Sequence, residues 1–418
     1  MKKRSILILI AVICIFALAL TACAPADGDQ GGEGGEGGDT EVNTEPIKIG
    51  GSYPLTGNSA DAGIGCRDAM LLAIEEINAA GGIYGRPLEL YFEDDESTAA
   101  SSVSAVEKLC MQDQVVALVA AYNSACVLAH MEITQREGVP QICPVASAAG
   151  ITRPAQEYMF RNIPSTIVMG TMFAEFMFEE AGQVTDWVII RETSDYALDY
   201  VTHIGNRLEE LGVTFLTEET YNSGDTDFYS QLTKIKNMDA KAILFIGYVN
   251  EGSQIMKQYH ELGMENIPIF TTGSCATDDF YKVAGANAEG LYSLSMLERY
   301  EDNPNPLANE YMDNYYARFN NNADYFSSAT YDAVYILAEA FKRVYDNNDG
   351  VWPEDLADFR TQTRDAIASI NGDWTGVQGT LYWNEYNEAA VDLYWVKWQA
   401  DGTREIVDVL PASSYAVK

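Results

Sequence analysis

Bases, imidazoles and paired cysteines are scarce in this chain. Lys and Arg number 26 against 62 Asp and Glu, for a formal charge of −36. Phosphate recognition needs a basic face, so nucleic acid is excluded as a partner. The acid excess chiefly signifies a solvated surface. Three histidines, His130, His203 and His260, are scattered, and no C-x-x-C pair occurs. Neither a metal site nor a disulfide framework is expected. No G-x-S-x-G elbow, P-loop or H-E-x-x-H is present, so no catalytic motif announces itself. Gly63 and Gly65 match part of a dinucleotide-binding turn. Asp68 stands where its third glycine belongs and would oppose a pyrophosphate, so no cofactor is expected. The Asp94–Asp95 pair at a strand end reads as capping or water-binding rather than acid–base chemistry. The apolar run at residues 6–20 is 15 residues long, short of the roughly 20 that a membrane span needs.

What is present begins with that run. Lys2, Lys3 and Arg4 precede it and Leu20-Thr21-Ala22-Cys23 closes it. This is a basic region, an apolar region of signal-peptide length, and small residues before a cysteine. It resembles a bacterial lipoprotein signal over residues 1–23, with Cys23 as the lipid-bearing first residue. The alternative is a plain transmembrane anchor. Either way the rest works outside the cytoplasm, tethered to the cell membrane. Removing 22 residues leaves 396 of the 418, with a charge of about −39. Anionic headgroups would repel such a surface, so the lipid must do the anchoring. Cys66, Cys110, Cys126, Cys143 and Cys275 remain, an odd number. They read as buried free thiols, with one disulfide as the alternative.

Residues 24–46 are rich in Gly, Glu and Asp and cannot bury enough apolar area to order themselves. They form a flexible tether with a random-coil reach of about 25 Å. Strand and helix signals then alternate, which predicts a parallel sheet of βαβ units. Strands are expected near 47–51, 88–92, 115–120 and 139–143, with helices over 63–79, 98–111 and 124–137. The order recurs at 187–191, 213–218, 242–247 and 267–271, the last three at offsets of 125–128 residues. Two doubly wound α/β lobes are predicted. Helices follow over 305–320, 329–345 and 358–370. The tail predicts a hairpin of 381–383 and 391–398 around a turn at 384–388.

Ligands of open α/β sheets bind beyond the carboxyl ends of the strands. The loops there carry Tyr122, Ser124, Ser147, Tyr196, Tyr248 and Ser274. Several open helices, whose N–H groups and positive dipole ends suit an anion. A carboxylate is the simplest fit, held by those groups and the hydroxyls of Ser124 and Ser147. Tyr122, Tyr196, Tyr248 and Tyr331 would make an aromatic wall.

Further stretches carry a family likeness: I-K-I-G-G-S-Y-P-L-T-G at 47–57, A-I-E-E-I-N-A-A-G-G-I-Y-G at 73–85, residues 91–95, E-G-V-P-Q-I-C-P-V at 137–145, F-R-N-I-P-S at 160–165, 379–383 and 398–402. Over about 47–405 the chain resembles the extracytoplasmic binding proteins of ABC importers, of the leucine/isoleucine/valine-binding type. The resemblance implies a type I periplasmic-binding-protein-like clamp of two lobes joined by three crossover segments, near 164, 289 and 375. One lobe would be 47–163 plus 290–375, the other 164–289 plus 376–418. Carried over by position, Ser124 and Ser147, with backbone at Val145 and Ala146, grip the ligand's carboxylate. Tyr196 and Tyr248 close over it, and Tyr331 contributes near the hinge. Ser274 stands where leucine-binding members carry an acid for the ligand's ammonium; Asp278, a turn later, is a possible substitute. Ala62 stands where an aromatic is usual, and Ser97 and Asn123 where the family has a disulfide.

The implied function is capture of a small carboxylate-bearing solute, an amino acid or related compound, by a monomer that closes about its hinge and delivers the ligand to an ABC permease. The rival readings are a sensory module that signals to a membrane receptor or kinase with the same clamp, and an exported hydrolase.

Overall fold

The computed structural model describes residues 44–153, 156–300 and 303–415. The expected leader, Cys23 and the tether up to residue 43 lie outside the described residues.

The first sheet is built from β1 (Ile47–Tyr53), β2 (Leu88–Asp94), β3 (Ala117–Ala120), β4 (Gln141–Ile142) and β5 (Met159–Phe160). All pairs are parallel, in the order β2-β1-β3-β4-β5. Helices α1 (Ala60–Ala79), α2 (Ala99–Glu107) and α3 (Ser124–Glu137) connect them. β1 and β3 are covered on both faces, so they read as nearly continuous apolar runs rather than alternating ones. Gly51 is required by this packing: a Cβ there would stand 2.7 Å from the Phe92 ring and 2.9 Å from the Met70 sulfur.

The second sheet starts after α4 (Thr166–Glu180). Its elements are β6 (Asp186–Glu192), α5 (Asp195–Glu210), β7 (Thr214–Tyr221), α6 (Tyr229–Lys236), β8 (Ala242–Ile246), α7 (Val249–Glu261), β9 (Ile269–Thr271), α8 (Asp278–Ala284) and β10 (Leu291–Ser295). The parallel order β7-β6-β8-β9-β10 repeats the winding of the first sheet. Trp187, Ile189 and Leu244 pack with Phe173 of α4 and Ile204 of α5. The alternate residues Val188, Ile190 and Phe245 pack with Leu232 of α6 and Met256 of α7. That alternation places helices on both faces.

The chain returns to the first lobe as α9 (Pro306–Phe319), α10 (Tyr325–Asn347) and α11 (Leu356–Ser369), with α10 against α1. A short ribbon follows, β11 (Thr375–Gly376) with β12 (Gly379–Thr380). β13 (Leu393–Trp398) and β14 (Arg404–Leu410) then complete the second sheet as antiparallel edge strands.

Three sequence expectations are corrected here. The third crossover is expected near 375, with 376 onward in the second lobe, but Val377 and Gln378 N–H donate to Asp332 of α10 and Trp383 Nε1 to Ile367 C=O of α11, so the chain stays with the first lobe through Trp383. The second crossover was placed near 289, with 290 onward in the first lobe. β10 instead pairs with β9 and β13 in the second sheet, so the chain crosses after Ser295. The tail hairpin was assigned the wrong partner. β13 is almost wholly buried and pairs on both sides, with β10 and β14. Trp383 and Ala389 form only an isolated bridge. The segment around them is taken by the first crossover: Arg161 N–H donates to Asn387 C=O and Ala389 N–H to Arg161 C=O, each at 2.8 Å. Among the described residues, no helix is long and apolar enough to cross a membrane.

Candidate ligand-binding site

In each sheet the strand order reverses once, between β1 and β3 and between β6 and β8. Connections leave in opposite directions there, opening a crevice at the carboxyl ends. The two crevices share one cavity. The first lobe contributes Tyr122, Ser124, Val145, Ala146 and Ser147; the second contributes Tyr196, Tyr200, Tyr248 and Ser274. Ile163 and Met169 border it from the first crossover and α4, and Leu294 and Met296 from the end of β10. Tyr325 and Phe326, at the start of α10, complete the wall. Seven of the eight ligand-contacting residues expected from sequence therefore lie together.

Tyr331 does not join them. It lines a separate pocket with Glu76, Tyr335 and Trp374, and its phenol donates to the Glu76 carboxylate. Helical geometry is the reason. Tyr331 follows Tyr325 by more than a turn and a half, and Tyr331 and Tyr335, four apart, share the stripe facing Glu76. Asp278 is also excluded from the cavity: its carboxylate pairs with Arg404 at 3.0 Å.

Sequence reasoning did not pick out Tyr200, Tyr325 or Phe326. Tyr200 sits one turn beyond Tyr196, the two rings meeting edge-on at 5.2 Å. The helix expected over 329–345 in fact begins at Tyr325, which brings Tyr325 and Phe326 to the cavity. A capping box was the available signal. Asp324 accepts from the Ser327 N–H at 2.8 Å, and Ser327 Oγ meets the Asp324 N–H at 2.9 Å.

The lobes are closed on one another. Asn123 Nδ2 donates across the cleft to the Tyr248 hydroxyl at 3.5 Å, and Ala149 N–H to Asp199 Oδ2 at 2.9 Å. The rings of Tyr122 and Tyr248 meet across the cleft at 6.3 Å, while within the lobes Tyr248 stacks on Tyr196 at 5.3 Å and Tyr122 meets Phe326 edge-on at 5.0 Å. The cavity volume is only about 20 Å³. A solute therefore enters only when the lobes part or the rings turn.

Electrostatics favour an anion. Helices α3 and α7 begin at Ser124 and Val249, and neither N-terminus has a side-chain cap. Their first-turn N–H groups border the cavity; the positive dipole end of α3 stands without an acid in its first turn, whereas that of α7 carries Glu251. Ser124 Oγ accepts from Ala148 N–H at 3.3 Å and retains its own proton to donate. Burial pushes the phenols of Tyr122, Tyr200, Tyr248 and Tyr325 well above their ordinary value, so they remain neutral. Behind the Val145–Ser147 loop stands Arg161, fully buried, donating to Ala148 C=O at 2.8 Å. It positions the loop and does not line the cavity. Among the described residues, no group of three or more His, Cys, Asp or Glu could hold a metal ion.

Comparison with known proteins decides the family. The family described as periplasmic binding protein matches residues 46–403. The chain belongs to that family. It is a binding protein for substrates of ABC transporters and not an enzyme, and family membership implies a place outside the cytoplasm. It is similar to the leucine-, isoleucine-, valine-, threonine- and alanine-binding protein of Pseudomonas aeruginosa, 26% identical over 367 residues, which span 86% of this chain and 92% of that protein. The branched-chain amino acid transporter substrate binding protein of Streptococcus pneumoniae, solved in complex with isoleucine, superimposes with a TM-score of 0.78 at 27% identity, covering 88% of this chain and 99% of that one. A solute binding protein from R. palustris, solved in complex with benzoate, shares the fold with a TM-score of 0.77 at 18% identity, over 88% of this chain and 97% of that one.

Proposed function

We propose that this binding protein is tethered to the cell membrane through lipid on Cys23, captures a small carboxylate-bearing solute as a monomer, and delivers it to an ABC permease. One lobe comprises residues 47–160 with 306–369, the other 166–295 with 393–410. One observation carries the reading: the carboxyl ends of both sheets converge on a single cavity bordered by uncapped helix N-termini and serine hydroxyls. A ligand touching both lobes favours the closed form by its differential affinity for the two states. Closure removes water from the carboxylate and strengthens its hydrogen bonds.

The test is to denature the purified protein and identify by mass spectrometry any small molecule released. That molecule is then returned to emptied protein, and the radius of gyration is followed by solution scattering. A carboxylic acid that compacts the protein supports the reading. A solute without a carboxylate, or compaction that no solute induces, overturns it.

A further inference from the structure

Resting on that reading, we propose that the ligand is a small carboxylate with an aromatic or apolar body and no ammonium group. An α-amino acid carries a fixed positive charge on the carbon next to its carboxylate. A buried ammonium is tolerated only with an anionic partner or a full set of acceptors. The cavity offers no anionic partner.

None of the residues lining it is charged. The carboxylates near the site are engaged: Glu251, in the first turn of α7, accepts from Gly224 N–H at 2.7 Å. Asp199 accepts from Ala149 N–H and Thr166 Oγ1, Glu192 from Ser194 Oγ, and Asp324 caps α10. Several backbone acceptors are taken as well. Ala146 and Ala148 carbonyls accept from Arg161, Ser147 C=O from the Thr166 N–H at 2.9 Å, and Gly247 C=O from Ser274 Oγ. Ser274 thus spends its hydroxyl proton on its own lobe. Meanwhile the N-terminus of α3, with no acid in its first turn, adds positive potential, which favours a carboxylate and opposes an ammonium. What remains of the wall is six aromatic rings with Ile163, Met169, Leu294 and Met296. Such a surface suits a ring or a branched alkyl body.

Matched pairs test this on the purified protein by calorimetry and thermal shift. The pairs are 3-phenylpropanoate with phenylalanine and 4-methylpentanoate with leucine; benzoate and the amines phenethylamine and isopentylamine are added. At least one of the three acids without an ammonium should bind saturably. Its amino-acid counterpart should bind at least roughly 100-fold more weakly, the scale of leaving a buried charge without a partner. Ser274→Glu should narrow or reverse that preference. Leucine or phenylalanine binding as tightly as its partner acid would overturn the inference and leave the carboxylate reading standing. Binding of the amines but none of the acids would overturn the carboxylate reading itself.

Discussion

Arg161 and Glu388 form an ion pair of 2.6 Å with essentially no solvent exposure on either side chain. It joins the first crossover to the segment that leads into β13, reinforcing the backbone pairing between the same segments. Glu388 also accepts from Thr152 and from Arg153 at 3.1 Å. Arg161 reaches on to Ala148 C=O, so the joint that must flex is tied to the loop that grips the ligand. Replacing Glu388 by Gln leaves the guanidinium buried without a counter-charge. A loss of about 3–5 kcal/mol in unfolding free energy is expected by urea denaturation.

The same pair sets an acid limb. Burial opposes the ionisation of Glu388, but the Arg161 charge and the hydrogen bonds from Arg153 and Thr152 hold it down at about 2. In the unfolded chain a glutamate titrates at about 4.3. The folded value is depressed, so its stabilisation is complete above the unfolded value and is lost as pH falls from there towards about 2. The stability gap between the native protein and Glu388→Gln should therefore be constant near neutrality and shrink below about pH 4.3. A gap that widens on acidification would refute the assignment.

Ser124 donates a hydrogen bond to a charged acceptor in the proposed complex. Ser124→Ala should weaken binding of a carboxylate ligand by about 1.5–3 kcal/mol, roughly 10- to 100-fold, in calorimetry. Unaltered affinity would remove the carboxylate from this end of the cleft.

Tyr248 bridges the lobes, touching Asn123 from one side and stacking on Tyr196 from the other. Tyr248→Ala should cost about 2 kcal/mol or more of binding free energy, as buried aromatic anchors do. It should also reduce the ligand-induced compaction seen by solution scattering. Tyr331→Ala, whose phenol serves Glu76 outside the cavity, should leave affinity within about twofold if the site is the one described.

Cys66, Cys110, Cys126, Cys143 and Cys275 are free and buried. Burial raises every one of these thiols, to about 12 for Cys110, Cys126 and Cys275 and about 11 for Cys143. A thiol reagent at pH 8 should find almost none of the five in the native protein and all of them after unfolding. Fast labelling of the native state would contradict this packing.

Most of the site was legible because its residues follow strands directly. Ser124 comes four positions after the end of β3, and Tyr248 two after β8. Once the strands were placed, the winding of a parallel sheet put those loops at one edge. Tyr325 and Tyr331 show where that reasoning stops. Both lie on α10, and only the packing of that helix decides which reaches the cavity and which turns to Glu76.

The sequence alone determined the alternation of strand and helix, the repeated winding of two lobes and the loops that meet between them. These are written in local periodicity and in turn and cap residues, which report the buried face of each element. Only the tertiary structure decided that β10 ends the second lobe's parallel run, that β13 takes β10 and β14 as neighbours, and that Arg161 meets Glu388 at the hinge. Those outcomes are competitions between distant segments for the same hydrogen bonds and the same buried space. A local pattern can require a partner without naming it.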